Sequence, residues 1–484
     1  MHVGYTFWHC RQHEERWPAV SFASYGLAYD VPAHGLRVLE ALEEAGFEAW
    51  VVGGWVRDAL RGAPSHDVDI CTSAHWQQTR STLRKLGIPV HETGTAHGTV
   101  TAVVDGQPVE VTTLREESTY TDHRHPDSVR FITDITEDLQ RRDFTVNAMA
   151  YHPERGLLDP FGGRDDLAAG VIRAVGNPRR RFAEDALRVL RAVRFAARLG
   201  FTIEPVTHEA LIAAAPDLAD IAQERIGQEL DGIVQTGKVA WAMMNEPEVM
   251  CAAIPELEAM RGFDQLSPWH AYDVYEHTAR VCRAVEEFTA GVPAPELRWA
   301  ALLHDVAKPA TFTVDAAGRG HFYGHPKAGA KMAEMIMRRL AFPKQYVARA
   351  CTLIRYHDHR MFPNSRSVRR TLVKLERACP GDAKALIYQL IDIKRCDAVS
   401  KVPKAAHYAV ELDVITKAVR DEILKKPPLR TSELAIGGWD VIDSLQIPPG
   451  PVVGSVMEEL LFSVINGEVE NTREALLKQM RKGW

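Results

Sequence analysis

Strand signals in this 484-residue chain nearly vanish after about residue 165, and no other feature constrains its fold as strongly. Upstream, Leu36, Leu39, Leu42 and Ala45 recur at helical spacing and end at Gly46. Trp50-Val51-Val52 then reads as a buried strand, Gly53-Gly54 as a turn and Trp55–Arg61 as a second helix. Between Thr99 and Leu114, alternating apolar residues flank Asp105-Gly106, the pattern of a β-hairpin closed by a two-residue turn. From about 166 onward, long amphipathic helical patterns take over, punctuated by Pro205, Pro255, Pro268, Pro293 and the pair Pro427-Pro428. The expectation is an α/β (α+β) head over 34–165, then all-α segments over 166–269, 270–405 and 406–484. The length allows about three domains, and 46% apolar residues are enough to fill several cores. Residues 1–33 mix histidines, arginines and acids with aromatics, show no period, and receive no function.

Lysine and arginine number 58 against 64 acids, a net charge of −6, which excludes a uniformly basic nucleic-acid coat but not a local basic patch. Seven cysteines run from Cys10 to Cys396 without a CxxC pair, the usage of free thiols in a reducing compartment. No stretch has the apolar length of a membrane span. A cytoplasmic chain with no membrane partner is expected; its oligomeric state is not legible.

Asp67-Val68-Asp69 leads into Ile70 in an apolar setting. At strand spacing its two carboxylates point to one side of a sheet. Placing two negative charges together costs stability unless a cation lies between them, and a hard divalent ion with oxygen ligands, Mg2+ above all, answers that need. Glu110, in Val109-Glu110-Val111, must face away from its core-facing neighbours and is the candidate third ligand. An acidic pair alone is ordinarily a solvated strand edge, but the preceding turn changes the balance. Gly53-Gly54 lets the backbone approach a ligand and exposes amides at the start of a helix, with Arg57 adding charge on the first turn. A phosphate cradle about ten residues ahead of a metal-binding acid pair suits nucleotidyl transfer, in which one ion activates a 3′-hydroxyl and a second holds the triphosphate.

Gly53-Gly54-Trp55-Val56-Arg57-Asp58 followed by Asp67-Val68-Asp69 resembles the head of the tRNA nucleotidyltransferase and poly(A) polymerase family, class II of the polymerase-beta-like superfamily. Arg141-Arg142-Asp143-Phe144-Thr145-Val146-Asn147-Ala148-Met149-Ala150, Asp159-Pro160-Phe161-Gly162-Gly163 and Glu184-Asp185-Ala186-Leu187-Arg188 are similar to further signatures of that family, in the same order, over about residues 36–235. The resemblance implies a polymerase-beta-like nucleotidyltransferase head in which Asp67, Asp69 and Glu110 are catalytic and hold Mg2+. Gly53, Gly54 and Arg57 would meet the nucleotide, and Arg142, Asp143 and Asn147 would engage its triphosphate or ribose.

Arg188, Arg191, Arg194 and Arg198 form one helical stripe, and Leu187, Leu190 and Val193 the buried one. Residues 173–198 carry eight arginines against two acids. Asp185 and Arg188, one turn apart, can present an acceptor beside a donor. Cytosine and adenine both place an exocyclic amino group next to a ring-nitrogen acceptor, whereas uracil and guanine put a carbonyl in the amino position. By the resemblance, Asp185 and Arg188 act as an amino-acid template, Arg191 and Arg194 complete the nucleotide site, and the substrates are CTP, ATP and the tRNA 3′ end. The stretch Arg115–Pro126, with Tyr120, Asp122 and Arg124, looks like the loop that family uses to switch from C to A addition. The last fourteen residues lack the strongly basic extension of poly(A) polymerases. Full CCA addition is therefore favoured, with poly(A) polymerase or partial (CC- or A-) addition as alternatives.

His277, His304-Asp305, His325, His357-Asp358 and Asp397 make a second constellation. An uncompensated acid after Ala301-Leu302-Leu303 would be costly, and four imidazoles with two carboxylates suit a transition metal better than calcium. The spacing resembles an HD-domain metal-dependent phosphohydrolase over about 270–400. It implies one or two metals, such as Mn, Ni, Co, Fe or Zn, on His277, His304, Asp305, His325, His357 and Asp397, with His359 competing with His357. Phosphatase or 2′,3′-cyclic phosphodiesterase work on RNA ends would follow; an HD fold kept as scaffold is the bland alternative. From about 430 the chain resembles the tRNA-gripping helical end of nucleotidyltransferases. A reading of another class makes the HD hydrolase the main activity and the head an inactive RNA-binding module, against which intact Asp67, Asp69 and Glu110 argue.

Overall fold

The computed structural model describes residues 30–63, 65, 67–117, 129–402 and 407–483. They divide into two compact units, one of residues up to 188 with 199–214, the other of 189–198 with 215–484. All but four residues of the N-terminal extension lie outside the described residues, as do Tyr120, Asp122 and Arg124 of the expected C-to-A loop.

The first unit runs α1 (Ala33–Glu44), β1 (Ala49–Val52), α2 (Gly54–Leu60), β2 (Val68–Thr72), α3 (Trp76–Lys85), β3 (Val90–Gly94), β4 (Thr99–Val104), β5 (Gln107–Thr113), β6 (Arg115–Glu117), β7 (Val129–Phe131), α4 (Ile135–Gln140), β8 (Ala150–His152) and β9 (Gly156–Leu158). After these come α5 (Gly163–Ala169), β10 (Val171–Ile172), α6 (Pro178–Glu184), α7 (Leu187–Leu199), which crosses into the second unit, β11 (Thr202–Ile203) and α8 (Pro205–Ala214). Seven strands make one mixed sheet in the order β3-β4-β5-β2-β1-β8-β9, with β2 and β5 its parallel pair. The hairpin lies where the sequence predicts it: Val104 pairs with Gln107, leaving Asp105 and Gly106 as the loop, both at positive φ as a primed turn requires.

Val68, Ile70, Val109 and Val111 alternate onto one face of the sheet and are buried there. Helix α1 lies so close to β2 that a Cβ on Gly35 would come within 2.7 Å of Val68 Cγ1. On the opposite face, Ile135 and Leu139 of α4 pack with Trp50, Val52 and Cys71. That helix covers the Cys71 end of β2 and leaves the Asp69 end to solvent.

The second unit is helical, as expected: α9 (Gln223–Thr236), α10 (Val239–Asn245), α11 (Pro247–Ala253), α12 (Val274–Phe288), α13 (Pro295–Leu303) and α14 (Lys308–Thr311), then a short hairpin of β12 (Thr313–Val314) and β13 (Gly320–His321). It continues with α15 (His325–Arg339), α16 (Lys344–Tyr356), α17 (Ser365–Ala378), α18 (Ala383–Val399), α19 (His407–Leu424), α20 (Gly438–Leu445), α21 (Pro451–Asn466) and α22 (Arg473–Gly483). Helices α12, α13, α15, α16 and α18 pack together around Trp299, Leu302, Leu303, Leu353 and Leu390. Among the described residues, six cysteines are free thiols, and no helix is long and apolar enough to cross a membrane.

Candidate functional site

Asp69 on β2 and Glu110 on β5 are direct register partners across the parallel pair, each flanked by buried valine or isoleucine. Asp67 precedes the first residue of β2, so it stands at the strand's entrance rather than on it. Partial burial of the Asp69 carboxyl, then the nearby Glu110 and Asp67 charges, raise its pKa to about 6 against the pull of Arg142, although the side chain still opens to solvent. The three acids share a face without closing on a common point. Among the described residues, the donor groups whose atoms fall within 4.8 Å of one another belong to the second unit.

Gly53 joins this face to the turn. Its φ of 71° and ψ of −130° lie outside what a side chain tolerates, and a Cβ there would sit 3.1 Å from Arg142 Nη1 and 3.8 Å from Asp69 Oδ2. The Gly53 amide donates to the Met149 carbonyl (3.4 Å). A ligand would therefore meet the first-turn amides of α2, which have no partner inside the helix. Arg57 is 3% exposed and does not stand open for phosphate: it donates to Asp58 (2.9 Å, twice) and to Asn147 Oδ1 (2.6 Å). Asn147 in turn donates to Asp143 Oδ1 (3.2 Å), which also accepts the Phe144 amide (2.8 Å). The three form a buried string behind the cradle.

Arg142, which does reach the acid face, is fixed from behind. Its guanidinium donates to Cys71 Sγ (3.4 Å) and the Asn147 carbonyl (3.4 Å), and lies 3.6 Å from Asp138. Asp138, which the sequence reading passed over, is fully buried on α4 and accepts from Arg141 Nη2 (2.7 Å) and Nε (3.0 Å) and from the Arg115 amide (3.3 Å). Burial alone would raise its carboxyl, but Arg141 and Arg142 outweigh that and hold it below the ordinary range. The available signal was an acid three and four residues ahead of two arginines.

Helix α7 carries the expected arginine stripe. Asp185 stands before it in extended conformation, its Oδ1 accepting the Leu187 amide (3.1 Å) and its carbonyl the Arg188 amide (3.0 Å). Arg188 donates to Glu184 Oε2 (2.8 Å), the Arg181 carbonyl (3.1 Å) and the Arg141 carbonyl (3.0 Å). Glu184, inside the quoted motif yet given no role, is therefore what orients it. Arg194 Nε meets Glu229 at 2.5 Å, with Arg191 3.9 Å from the same carboxylate. Arg173 and Arg179 pair with Asp166 and Glu209. Acids from other elements thus offset a run that looks strongly basic when counted locally.

The second constellation converges. His277 comes from α12, His304 and Asp305 from the end of α13, His325 opens α15, His357 ends α16, and Asp397 lies on α18. His277 Nε2 is 3.0 Å from Asp397 and 3.6 Å from Asp305; His304 Nε2 is 3.0 Å, His325 Nε2 3.5 Å and His357 Nε2 3.8 Å from Asp305. His304, His325 and His357 each donate Nδ1–H to the carbonyl three residues back, at 2.7–2.8 Å, so Nε2 of each is aimed inward. His304 Nε2 and both Asp305 oxygens are buried without an aligned hydrogen bond, despite the 3.0 Å contact and an ion pair from Lys308 (2.7 Å). Such donors crowd together as cation ligands do, and their N/O set fits a transition metal. Burial, followed by the His304 charge, pushes His357 down to about 3. Asp305 and Asp397 are held well below the usual carboxylate range: burial would raise both, but His304 and Lys308 overcome it at Asp305, and Lys401 and His277 at Asp397. Burial would lower His304 too, but Asp305 overcomes it and raises that imidazole, so His357 and the two carboxylates are already in the forms a metal takes, whereas His304 would have to give up its proton. His359 turns away, 3.3 Å from Lys374 Nζ, and leaves the position to His357. Lys308 and Lys401, the latter 2.5 Å from Asp397, were not anticipated.

A family model described as the Poly A polymerase head domain matches residues 49–173, one described as the HD domain matches 270–401, and one described as the probable RNA and SrmB-binding site of polymerase A matches 200–260. The chain is 31% identical over 451 residues to the CCA-adding enzyme of Leuconostoc mesenteroides subsp. mesenteroides, covering 91% of this chain and 94% of that one. It is 33% identical over 441 residues to the CCA-adding enzyme of Geobacillus thermodenitrificans, with the same coverage. Among solved structures, that of the Bacillus stearothermophilus CCA-adding enzyme in complex with CTP is similar at a TM-score of 0.67 and 28% identity, over 93% of this chain and 96% of that one.

Proposed function

This chain belongs to the CCA-adding enzyme family, and from that premise we propose that it adds C, C and A, from CTP and ATP, to the 3′ end of tRNA, selecting nucleotides with its own side chains instead of a nucleic-acid template. The observation that carries the reading is the register pair of Asp69 and Glu110 beside Gly53 and Arg142. Asp67, Asp69 and Glu110 would hold Mg2+, which when bound eases ionisation of the 3′-hydroxyl and offsets triphosphate charge. The first-turn amides of α2 and Arg142 bind triphosphate. Arg57, Asn147 and Asp143 brace that wall. Asp185 and Arg188 read the amino group and ring nitrogen of C or A, with Glu184 and the Arg141 carbonyl keeping Arg188 in one orientation. Arg191 and Arg194 are further nucleotide ligands on the same helix. The functional parts are the head (34–165), the neck and body (166–269), the HD part (270–405) and a tRNA-binding tail (406–484), in a cytoplasmic protein.

The test is a tRNA lacking its terminal CCA, incubated with CTP and ATP. Three added nucleotides support the reading, whereas a long A tract or arrest after CC replaces it with poly(A) or partial addition. Asp69→Ala should abolish extension.

A second reading concerns the cluster around Asp305, favoured by its inward-aimed imidazoles and buried unaligned oxygens. We propose that it holds Mn, Ni, Co, Fe or Zn and hydrolyses phosphate esters at RNA ends, 2′,3′-cyclic phosphates included. When bound, the metal supplies Lewis acidity toward the ester. Lys308 and Lys401 keep the carboxylates ionised and add positive charge for the phosphate. Elemental analysis of purified protein, alongside hydrolysis of a 2′,3′-cyclic nucleotide, decides it; no metal and no hydrolysis would reduce this part to a scaffold.

A further inference from the structure

The cluster forms one wall of a cavity of about 330 Å³ that Asp305, His325, His357 and Asp397 share with Lys308 and Lys401. His321 and Tyr323, just before His325, line the same cavity. Tyr323 is 77% exposed. Its ring lies parallel to that of His321, at an interplanar angle of 7° and a centroid separation of 5.2 Å.

The lower ring of this pair is fixed. His321 Nε2 meets Asp315 Oδ2 at 2.9 Å, and Asp315 Oδ1 accepts the Ala317 and Arg319 amides at 2.9 Å each, which ties the β12–β13 turn. Between the two rings in sequence, Phe322 packs against Phe312 and Phe263 and also lines the cavity, with Lys308 Nζ 5.3 Å from its ring centroid. The backbone under Tyr323 is therefore anchored on both sides, while the outer face of its ring is free to water. The cavity thus combines a planar aromatic surface with two ammonium groups and a donor cluster suited to a metal. Those are the separate requirements of a base and of a phosphate joined through one sugar.

We propose that Tyr323, backed by His321, is a stacking platform for the base of a nucleoside phosphate, free or at the end of an RNA strand, whose phosphate lies toward Asp305 and Asp397. The proposal rests on the reading of the cluster as a phosphoesterase and names its substrate class. Stacking on one ring face tolerates any base, because each presents a π-surface. The platform therefore selects nucleotides over other phosphate esters without choosing among A, C, G and U.

The experiment compares the full-length protein with Tyr323→Ala and Tyr323→Trp, using adenosine 2′,3′-cyclic phosphate and base-free ribose 2,3-cyclic phosphate as esters. Binding of adenosine 2′-monophosphate against ribose 5-phosphate is followed by calorimetry, and CCA addition to tRNA serves as the control for an intact head. In Tyr323→Ala, KM and Kd for the adenosine probes should rise about 10-fold, with kcat, bound metal and the base-free probes unchanged, and Tyr323→Trp should restore them. Unchanged adenosine affinity in Tyr323→Ala, or equal loss for base-free probes, overturns the platform even if hydrolysis is normal. If wild type hydrolyses neither ester yet loses adenosine 2′-monophosphate binding with Tyr323, the phosphoesterase reading falls and the platform stands. An oligoribonucleotide ending in a cyclic phosphate, set against the mononucleotide, separates a strand end from a free nucleotide.

Discussion

At Gly53, backbone conformation and chemistry meet in one residue. Gly53→Ala must either abandon the positive φ or push Arg142 back, at a cost of about 1–3 kcal/mol. Single-nucleotide incorporation should fall about 10-fold or more, measured at a temperature well below the melting point, which the strain itself should lower by several degrees. Asp69 gives a pH test. With its folded pKa near 6, above the unfolded value of 3.8, its charge opposes folding fully above pH 6, progressively less from 6 to 4, and not at all below. In chelator-treated protein, Asp69→Asn should raise the head's melting temperature at pH 7.5, and the gain should shrink as the pH is lowered toward 4. Discounted for solvent exposure, that gain is on the order of 1 kcal/mol. Asp69, Glu110 and Gly53 were legible because alternation and glycine conformation are local properties. Asp138 was not, since an acid on a short helix reads as surface until the sheet it packs against is known.

Among the elements, α4 and α7 position the site in different ways. Helix α4 carries the Asp138 carboxylate between Arg141 and Arg142 and against the Arg115 amide, at the base of the segment that runs on into residues 118–128. Asp138→Asn removes the buried carboxylate that Arg141 and Arg142 share and should cost about 3 kcal/mol of head stability. It should also raise KM for CTP more than it lowers kcat, a division that simple unfolding would not produce. Helix α7 presents Arg188, anchored by Glu184 and two carbonyls. Arg188→Ala or Asp185→Ala should reduce discrimination for C and A over U and G by about 100-fold, measured as kcat/KM for each triphosphate, with dependence on Mg2+ retained. Helical periodicity was enough to place the arginine stripe. It could not show that Asp166, Glu209 and Glu229 offset about half of the remaining excess, because those partners lie outside the run and on other elements.

For the molecule as a whole, the two proposed chemistries draw on two sets of residues with no member in common. Asp69→Ala should end nucleotide addition while leaving metal content and ester hydrolysis intact, and His304→Ala should do the reverse; a single variant that removed both would join the two sites. Chelation should lower the melting of the second unit, since any metal bound only by the folded cluster stabilises it by mass action. Affinity for tRNA should fall with rising salt, as phosphate contacts on helices release counterions.

Sequence by itself determined the mixed head and helical remainder, the pairing of Asp69 and Glu110 on one sheet face, the hairpin register and which histidines and acids gather around Asp305. Each depends on periodicity, turn chemistry or a spaced motif, all of which are written along the chain. Tertiary structure decided which groups are spent and which are presented. It turned Arg57 inward onto Asp58 and Asn147, made Asp138 and Glu184 the supports of Arg142 and Arg188, chose His357 over His359, and set Tyr323 on His321 beside the cavity. The physical reason is that a side chain's charge and donors belong to whichever partner the fold brings within about 3 Å, and residues as far apart as Arg57 and Asn147 carry no mark of that in their order.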